Sequence, residues 1–220
     1  MNRKTLVALA TLIAVVAFAA ATWWNVRSVP VVGVPAVAPE ISERLIRPYS
    51  PVFGPETAPV TIVEFFDPAC EACRAFHPVV KDILAQYPEQ VRVVIRYTPF
   101  HGESSERAIA TLEAARIQGI YLRVMEALFD RQNEWTSRGA PTDDRIMQIA
   151  GSVGLNVKVA KTQVQMPDIV AIINQDRADV EAIGIRQTPT FFVNGKPLIE
   201  FGESQLRALV AAEVDAAGGI

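Results

Sequence analysis

From position 60 onward, apolar and polar residues alternate in a strand–helix–strand rhythm. VTIVEFF, Val60 to Phe66, is a β-branched and aromatic run that reads as a strand. Its alternation puts Ile62, Glu64 and Phe66 on one side, an unusual inward position for a carboxylate. Pro68 ends the strand geometry, and Cys73 to Gln86 carries Phe76, Val79, Val80, Ile83 and Leu84 on one helical face. VRVVIRY, Val91 to Tyr97, is the next strand, completing a βαβ unit. From Glu103 to about Glu181 the pattern is helical, with two helices meeting at Gly119, a third opened by Thr142, Asp143 and Asp144 and ending near Gly151, and two more over Asn156 to Gln165 and Asp168 to Ile183. The last of these has an apolar stripe at Ile169, Ile172, Ile173, Val180 and Ile183. TFFVNG, Thr190 to Gly195, then reads as a strand entering an Asn-Gly turn, with a return strand over Pro197 to Phe201. Glu203 to Ala217 closes the chain as a helix with Leu206, Leu209 and Val210 toward the sheet. The order βαβ, helical block, ββα predicts an α/β domain: a small central sheet with helices on both faces and the helical block as an insertion.

The residues before Val60 have a different texture. Ser28 to Pro59 contains prolines at 30, 35, 39, 48, 51, 55 and 59, which predicts an extended spacer with at most a short helix around Ile41 to Ile46. Thr5 to Trp24 is a run of twenty residues without a charge, preceded by Arg3 and Lys4 and ending in Trp23 and Trp24. Its length and flanks predict either a membrane anchor or a signal peptide cleaved at small residues such as Ala19-Ala20-Ala21. Either reading exports the rest of the chain, and the expected location is the periplasm, anchored to the inner membrane or soluble after cleavage. The expected division is 1–27 anchor or signal, 28–59 linker, and 60–217 a domain whose helical insertion covers about 103–183.

Charge narrows the partners. The chain of 220 residues has a formal net charge of −3, and beyond Arg27 it holds 18 Lys and Arg against 24 Asp and Glu. A mildly acidic body without a basic stripe excludes nucleic acid as the expected partner.

Both cysteines of the chain lie in FFDPACEACRAFHP, as Cys70 and Cys73. In an exported domain they pair only with each other or with another molecule. Residues i and i+3 share a helical face, so the two sulfurs come within reach of one another. At the helix N-terminus, Cys70 meets unpaired N–H groups and the positive end of the dipole, which favour a thiolate. Cys73, one turn further in, is placed to resolve a mixed disulfide. A structural zinc site would have to recruit His77 and His101, the chain's two histidines, and a purely structural bridge over one turn closes too small a loop to stabilise much.

VEFFDPACEAC, followed by a long helical block and TPTFFVNG, resembles the DsbA-like branch of the thioredoxin superfamily over Val60 to about Ala217. The resemblance implies a thioredoxin-like fold with a large inserted helical domain and an exported thiol–disulfide oxidoreductase. It makes Cys70 the nucleophile, Cys73 the buried resolving thiol, and Glu64 a carboxylate beneath the site that exchanges a proton with Cys73. Pro189, preceded by Thr188, matches the family's cis-proline, in a loop facing the cysteines where the Thr188 backbone pairs with a bound peptide. The implied partners are cysteine-containing exported proteins and a membrane redox partner that reoxidises or reduces the pair. No nicotinamide, flavin or metal cofactor is implied. The dipeptide between the cysteines is Glu71-Ala72 where strongly oxidising members carry Pro-His, so Cys70 is expected to be less acidic than theirs. Thr188 before the proline is similar to the pattern of isomerase and reductase relatives, which leaves a periplasmic disulfide reductase or isomerase as one alternative. A non-catalytic peptide-binding chaperone on the same fold is the other.

Overall fold

The computed structural model describes residue 2, residues 39–136 and residues 142–218. Its centre is β2 (Val60–Phe66), which is buried along its whole length. β2 runs parallel to β3 (Val91–Tyr97) on one side and antiparallel to β4 (Thr190–Val193) on the other. β1 (Val52–Phe53) and β5 (Lys196–Pro197) complete a sheet of order β1-β3-β2-β4-β5. The parallel β2–β3 pair needs a crossover, and the helix α2 (Glu71–Gln86) supplies it. Asn194 and Gly195 both take positive φ, 47° and 78°, so the Asn-Gly turn joins β4 to β5 as the sequence predicts. The return strand is shorter than predicted, since it stops at Pro197 and Ile199 and Phe201 stand exposed.

Between β3 and β4 lie α3 (Glu103–Ile117), α4 (Tyr121–Asp130), α5 (Asn133–Thr136), α6 (Thr142–Ser152), α7 (Val157–Gln163) and α8 (Pro167–Ile183). Gly119, with φ 74°, makes the break between α3 and α4. The helix α9 (Glu203–Gly218) closes the fold, burying Leu206, Val210 and Val214. Val60, Ile62 and Phe66 belong to the larger apolar cluster, which also holds Cys73 and Ile83, whereas Val63 and Phe65 point into a smaller cluster with Val180 and Phe192. The two faces follow from the period of two along the strand.

Residues 39–59 do more than span a distance. They form α1 (Pro39–Leu45) and the edge strand β1, whose Val52 and Phe53 pair with Val94 and Val93. After β1, Gly54 has φ 99°, and a Cβ there would sit 2.6 Å from the Val91 carbonyl oxygen. Proline composition hides this docking because the contacts are made by ions. Arg96 of β3 is fully buried, and its guanidinium donates to Asp176 Oδ1 at 2.8 Å and to Asp179 Oδ2 at 2.7 Å. Arg47 donates to the same Asp179 at 2.7 Å, and Tyr49 to Asp176 at 2.7 Å. The chain's entry segment, β3 and α8 are thereby tied at one point.

The expectation of a membrane anchor is corrected. No helix among the described residues is long and apolar enough to cross a membrane. A span takes about 20 apolar residues, whereas α8, the longest described helix, has 17 and carries Asp168, Asp176, Arg177 and Asp179. The run Thr5 to Trp24, on which the anchor and the inner-membrane attachment rested, lies outside the described residues.

Removing Arg96 leaves Asp176 buried without its counter-charge and leaves Asp179 with Arg44 and Arg47 as counter-charges. Arg96→Met is expected to cost about 3–5 kcal/mol in urea denaturation; a loss below about 1 kcal/mol would show that the ion cluster does not secure the entry segment.

Candidate active site

The strand β2 ends at Phe66 and the chain turns through Asp67, Pro68 and Ala69 into α2. Asp67 is fully buried and organises this turn. Its carboxylate accepts from Ala69 N at 2.9 Å, Phe100 N at 2.9 Å, His101 Nδ1 at 2.8 Å and Ser105 Oγ at 2.9 Å. One acid therefore fastens the cysteine turn to the loop after β3. The Asp67 backbone N–H meets Cys73 Sγ at 3.5 Å.

Cys70 is the N-cap of α2, and its carbonyl receives the first helical hydrogen bond from Arg74 N at 3.2 Å. Its thiol reaches the Thr188 carbonyl at 3.2 Å, which brings the cysteine turn and the loop before β4 together although they are 118 residues apart. The Thr188–Pro189 peptide is cis. Cys70 is 8% exposed and Cys73 is fully buried.

Burial and hydrogen bonding separate the two thiols. The hydrogen bond with Cys73 lowers the Cys70 pKa, burial opposes it, and bonds from the Thr188 side chain and the N–H groups of Ala72 and Cys73 add to the lowering, leaving it at about 5. The thiol–carbonyl contact at Thr188 favours the neutral form, so the balance lies with the Cys73 thiol and, after it, the Thr188 side chain and the N–H donors at the helix N-terminus. Burial first, then the bond to Cys70 and the charges of Glu64 and Cys70, push Cys73 well above the ordinary thiol value.

Glu64 lies on central strand β2, opposite Ile95 of β3 and Phe191 of β4, and is 4% exposed. With Phe66, His77, Val80 and Ile95 it lines a cavity of about 80 Å³. Burial, and secondarily the Cys70 charge, raises its pKa to about 8. The structure thus brings Cys70, Cys73, Thr188 and Pro189 into one site, with Glu64 electrostatically coupled to both sulfurs.

Two residues of this site are not predicted by the sequence pattern. Asp67 had a signal, an acid between the end of a strand and a proline. Gln132 had none: it sits 62 residues beyond Cys70, yet donates to the Cys70 carbonyl at 3.0 Å. His77 is partly buried on α2, and His101 is held by Asp67. Among the described residues no group of three or more His, Cys, Asp or Glu is arranged to hold a metal.

The Glu64 carboxyl generates a pH test. Its folded pKa, about 8, exceeds the ordinary 4.5, so its contribution to stability is complete below pH 4.5 and is lost as pH rises through 8. Reduced Glu64→Gln protein is therefore expected to gain on wild type by up to about 1.4 kcal/mol per pH unit across that window. Parallel stability profiles from pH 4 to 9 would contradict a protonated, buried Glu64.

Comparison with known proteins agrees with this geometry. A thioredoxin family model matches residues 47–212. A thioredoxin-like oxidoreductase from Silicibacter pomeroyi DSS-3 superposes with a TM-score of 0.68 at 31% identity, covering 81% of this chain and 98% of that one. A periplasmic thioredoxin-like protein from Salmonella enterica serovar Typhimurium gives 0.61 at 25% identity, covering 81% and 98%. A Na(+)/H(+) antiporter NhaA from Herminiimonas arsenicoxydans is 30% identical over 181 residues, 81% of this chain but 27% of that protein. The chain thus spans about a quarter of the length of the curated relatives it matches. The cysteine pair on this fold supports thiol–disulfide exchange, and the fold is consistent with a periplasmic thioredoxin-like domain. By its family match, its sheet and its CxxC-bearing helix, the chain belongs to the thioredoxin family.

Proposed function

We propose that this protein exchanges disulfides with cysteine-containing polypeptides in the periplasm through Cys70 and Cys73. The observation that carries the proposal is the split between a Cys70 thiol lowered to about 5 and a fully buried Cys73 raised above the ordinary range. At neutral pH one sulfur is an attacking thiolate and the other a protonated reserve.

In the reducing direction, the Cys70 thiolate attacks one sulfur of a substrate disulfide. The substrate S–S bond breaks, a Cys70–substrate disulfide forms, and one substrate thiolate leaves. Cys73 then gives its proton to the Glu64 carboxylate and attacks the Cys70 sulfur. The Cys70–Cys73 bond forms, the second substrate thiolate leaves, and two electrons have passed to the substrate. Formation of the mixed disulfide erases the Cys70 charge, which is one of the causes holding both Glu64 and Cys73 protonated. Its loss makes Cys73 a better acid when the second step needs its thiolate, and lets Glu64 release its own proton to solvent beforehand and stand ready as the base. The Thr188 backbone beside the Cys70 sulfur supports its role as a docking edge for extended substrate, and Pro189 fixes the path of that loop.

One observation favours a disulfide less oxidising than that of the strongest oxidants. Cys70 at about 5 is less acidic than the thiols of strongly oxidising members, near roughly 3.5, and more acidic than those of thioredoxins, near roughly 7. A less stabilised thiolate makes a less oxidising disulfide. Residues Glu71 and Ala72 supply no imidazole between the cysteines that would lower it further. A non-catalytic chaperone would keep its cellular role after Cys70→Ser; an exchange enzyme loses it.

Two outcomes test the reading. The reduction potential against glutathione is expected between about −270 and −120 mV, the thioredoxin and strong-oxidant limits, and a value at the strong-oxidant end would overturn the expectation of a less oxidising disulfide. Cys73→Ala protein is expected to accumulate mixed disulfides through Cys70 that dithiothreitol releases, and protein that traps no polypeptide in cells would contradict exchange on proteins.

A further inference from the structure

The helical insertion touches the cysteine turn through a side chain that the exchange mechanism leaves unassigned. Gln132 lies just beyond α4 and is fully buried. Its own backbone is fixed, with N–H donated to the Phe129 carbonyl at 3.1 Å and its carbonyl receiving Thr136 N at 3.0 Å and Thr136 Oγ1 at 2.9 Å. From this mount Nε2 donates to the Pro68 carbonyl at 2.9 Å and to the Cys70 carbonyl at 3.0 Å. Its Oε1 is buried and has no hydrogen-bond partner.

That asymmetry is informative. A buried amide oxygen without a partner costs stability, and an apolar side chain of the same length would avoid the cost. The amide nitrogen answers two carbonyls that bracket the turn carrying the nucleophile. The Cys70 carbonyl already receives Arg74 N, so Nε2 adds a second donor to the peptide that opens α2. Each donor draws negative charge away from a carbonyl oxygen of the turn that carries the Cys70 sulfur and holds that turn in place.

We propose that Gln132 is a positioning residue of the redox site: by clamping the Pro68 and Cys70 carbonyls from the helical insertion, it sets how well Cys70 holds negative charge. The proposal rests on the exchange reading. The insertion then has a chemical task in addition to covering the sheet, since its fold is coupled to the electronics of the cysteine turn. The other ionisable groups around Cys70 are Cys73 and Glu71 on α2, Glu64 on β2, and the Asp67–His101 pair behind the turn; substitutions at Gln132 leave all of them in place.

The test uses the full chain with Gln132→Met, which keeps side-chain length and removes both donors. Thiolate absorbance at 240 nm is expected to place the Cys70 midpoint about one pH unit above wild type. The equilibrium with glutathione at pH 7 is expected to shift about tenfold against the reduced protein. Gln132→Glu, similar in shape and held protonated in this buried position with one O–H donor left, is expected to move the midpoint upward by less than Gln132→Met, and it carries the test where the Met variant folds poorly. A midpoint and glutathione equilibrium equal to wild type, with both redox forms destabilised alike, would reduce Gln132 to a structural role and overturn the proposal. A wild-type Cys70 that titrates near roughly 8.5 as a free thiol would overturn it together with the exchange reading, which separates the two failures.

Discussion

Burial beneath α2 penalises negative charge, and three acids there differ in how well they can carry one. Cys70, Cys73 and Glu64 are mutually coupled, and burial penalises ionisation of each. Cys70 takes the charge because the Cys73 thiol donates to it, with the Thr188 side chain and the N–H groups of the helix N-terminus as further donors. Cys73 and Glu64 are then held protonated by their surroundings and by that charge. The order of the chemistry results from this difference: the charged sulfur reacts first, and its reaction removes its charge's penalty on the other two groups.

The scaffold exists to hold those three groups in a small volume. Central strand β2 buries Glu64 on the same face as Ile62 and Phe66, beneath α2, and the turn after Phe66 delivers Cys70. Antiparallel pairing with β4 sets Phe191 opposite Glu64 and brings the Thr188 loop to the sulfur. Asp67 fastens the turn to the loop beyond β3, and Gln132 fastens it to the insertion. Across the sheet, Arg96 with Asp176 and Asp179 anchors α8 and the entry segment, so the face opposite the cysteines is held by charge. Both faces use buried polar groups where a purely apolar core would leave geometry less determined.

What was legible in the sequence was local. VTIVEFF and VRVVIRY declared their strands because β-branched runs bounded by breakers have few other uses, and the observed bounds coincide. The Cys70–Cys73 spacing declared a helix N-terminus with two sulfurs on one face, and alternation declared Glu64 inward. Contacts closed over long separations were not legible. Gln132 meets Cys70 across 62 residues and Arg96 meets Asp176 across 80, and neither Gln132 nor Asp176 departs from an ordinary helical pattern. Proline content misled over residues 39–59, because α1 and β1 are held by Arg47 and Tyr49 reaching partners on α8. The return strand was overestimated because Leu198 to Phe201 has strand-like composition, but Ile199 and Phe201 have no sheet face to cover.

The coupled-charge account is tested most directly at the group that does not react. Carboxyl carbon NMR of Glu64 in the reduced protein should titrate with a midpoint near 8, and the same resonance in Cys70→Ser protein should move to a lower midpoint because the neighbouring charge is gone. A Glu64 midpoint that is the same with and without the Cys70 sulfur would contradict the account.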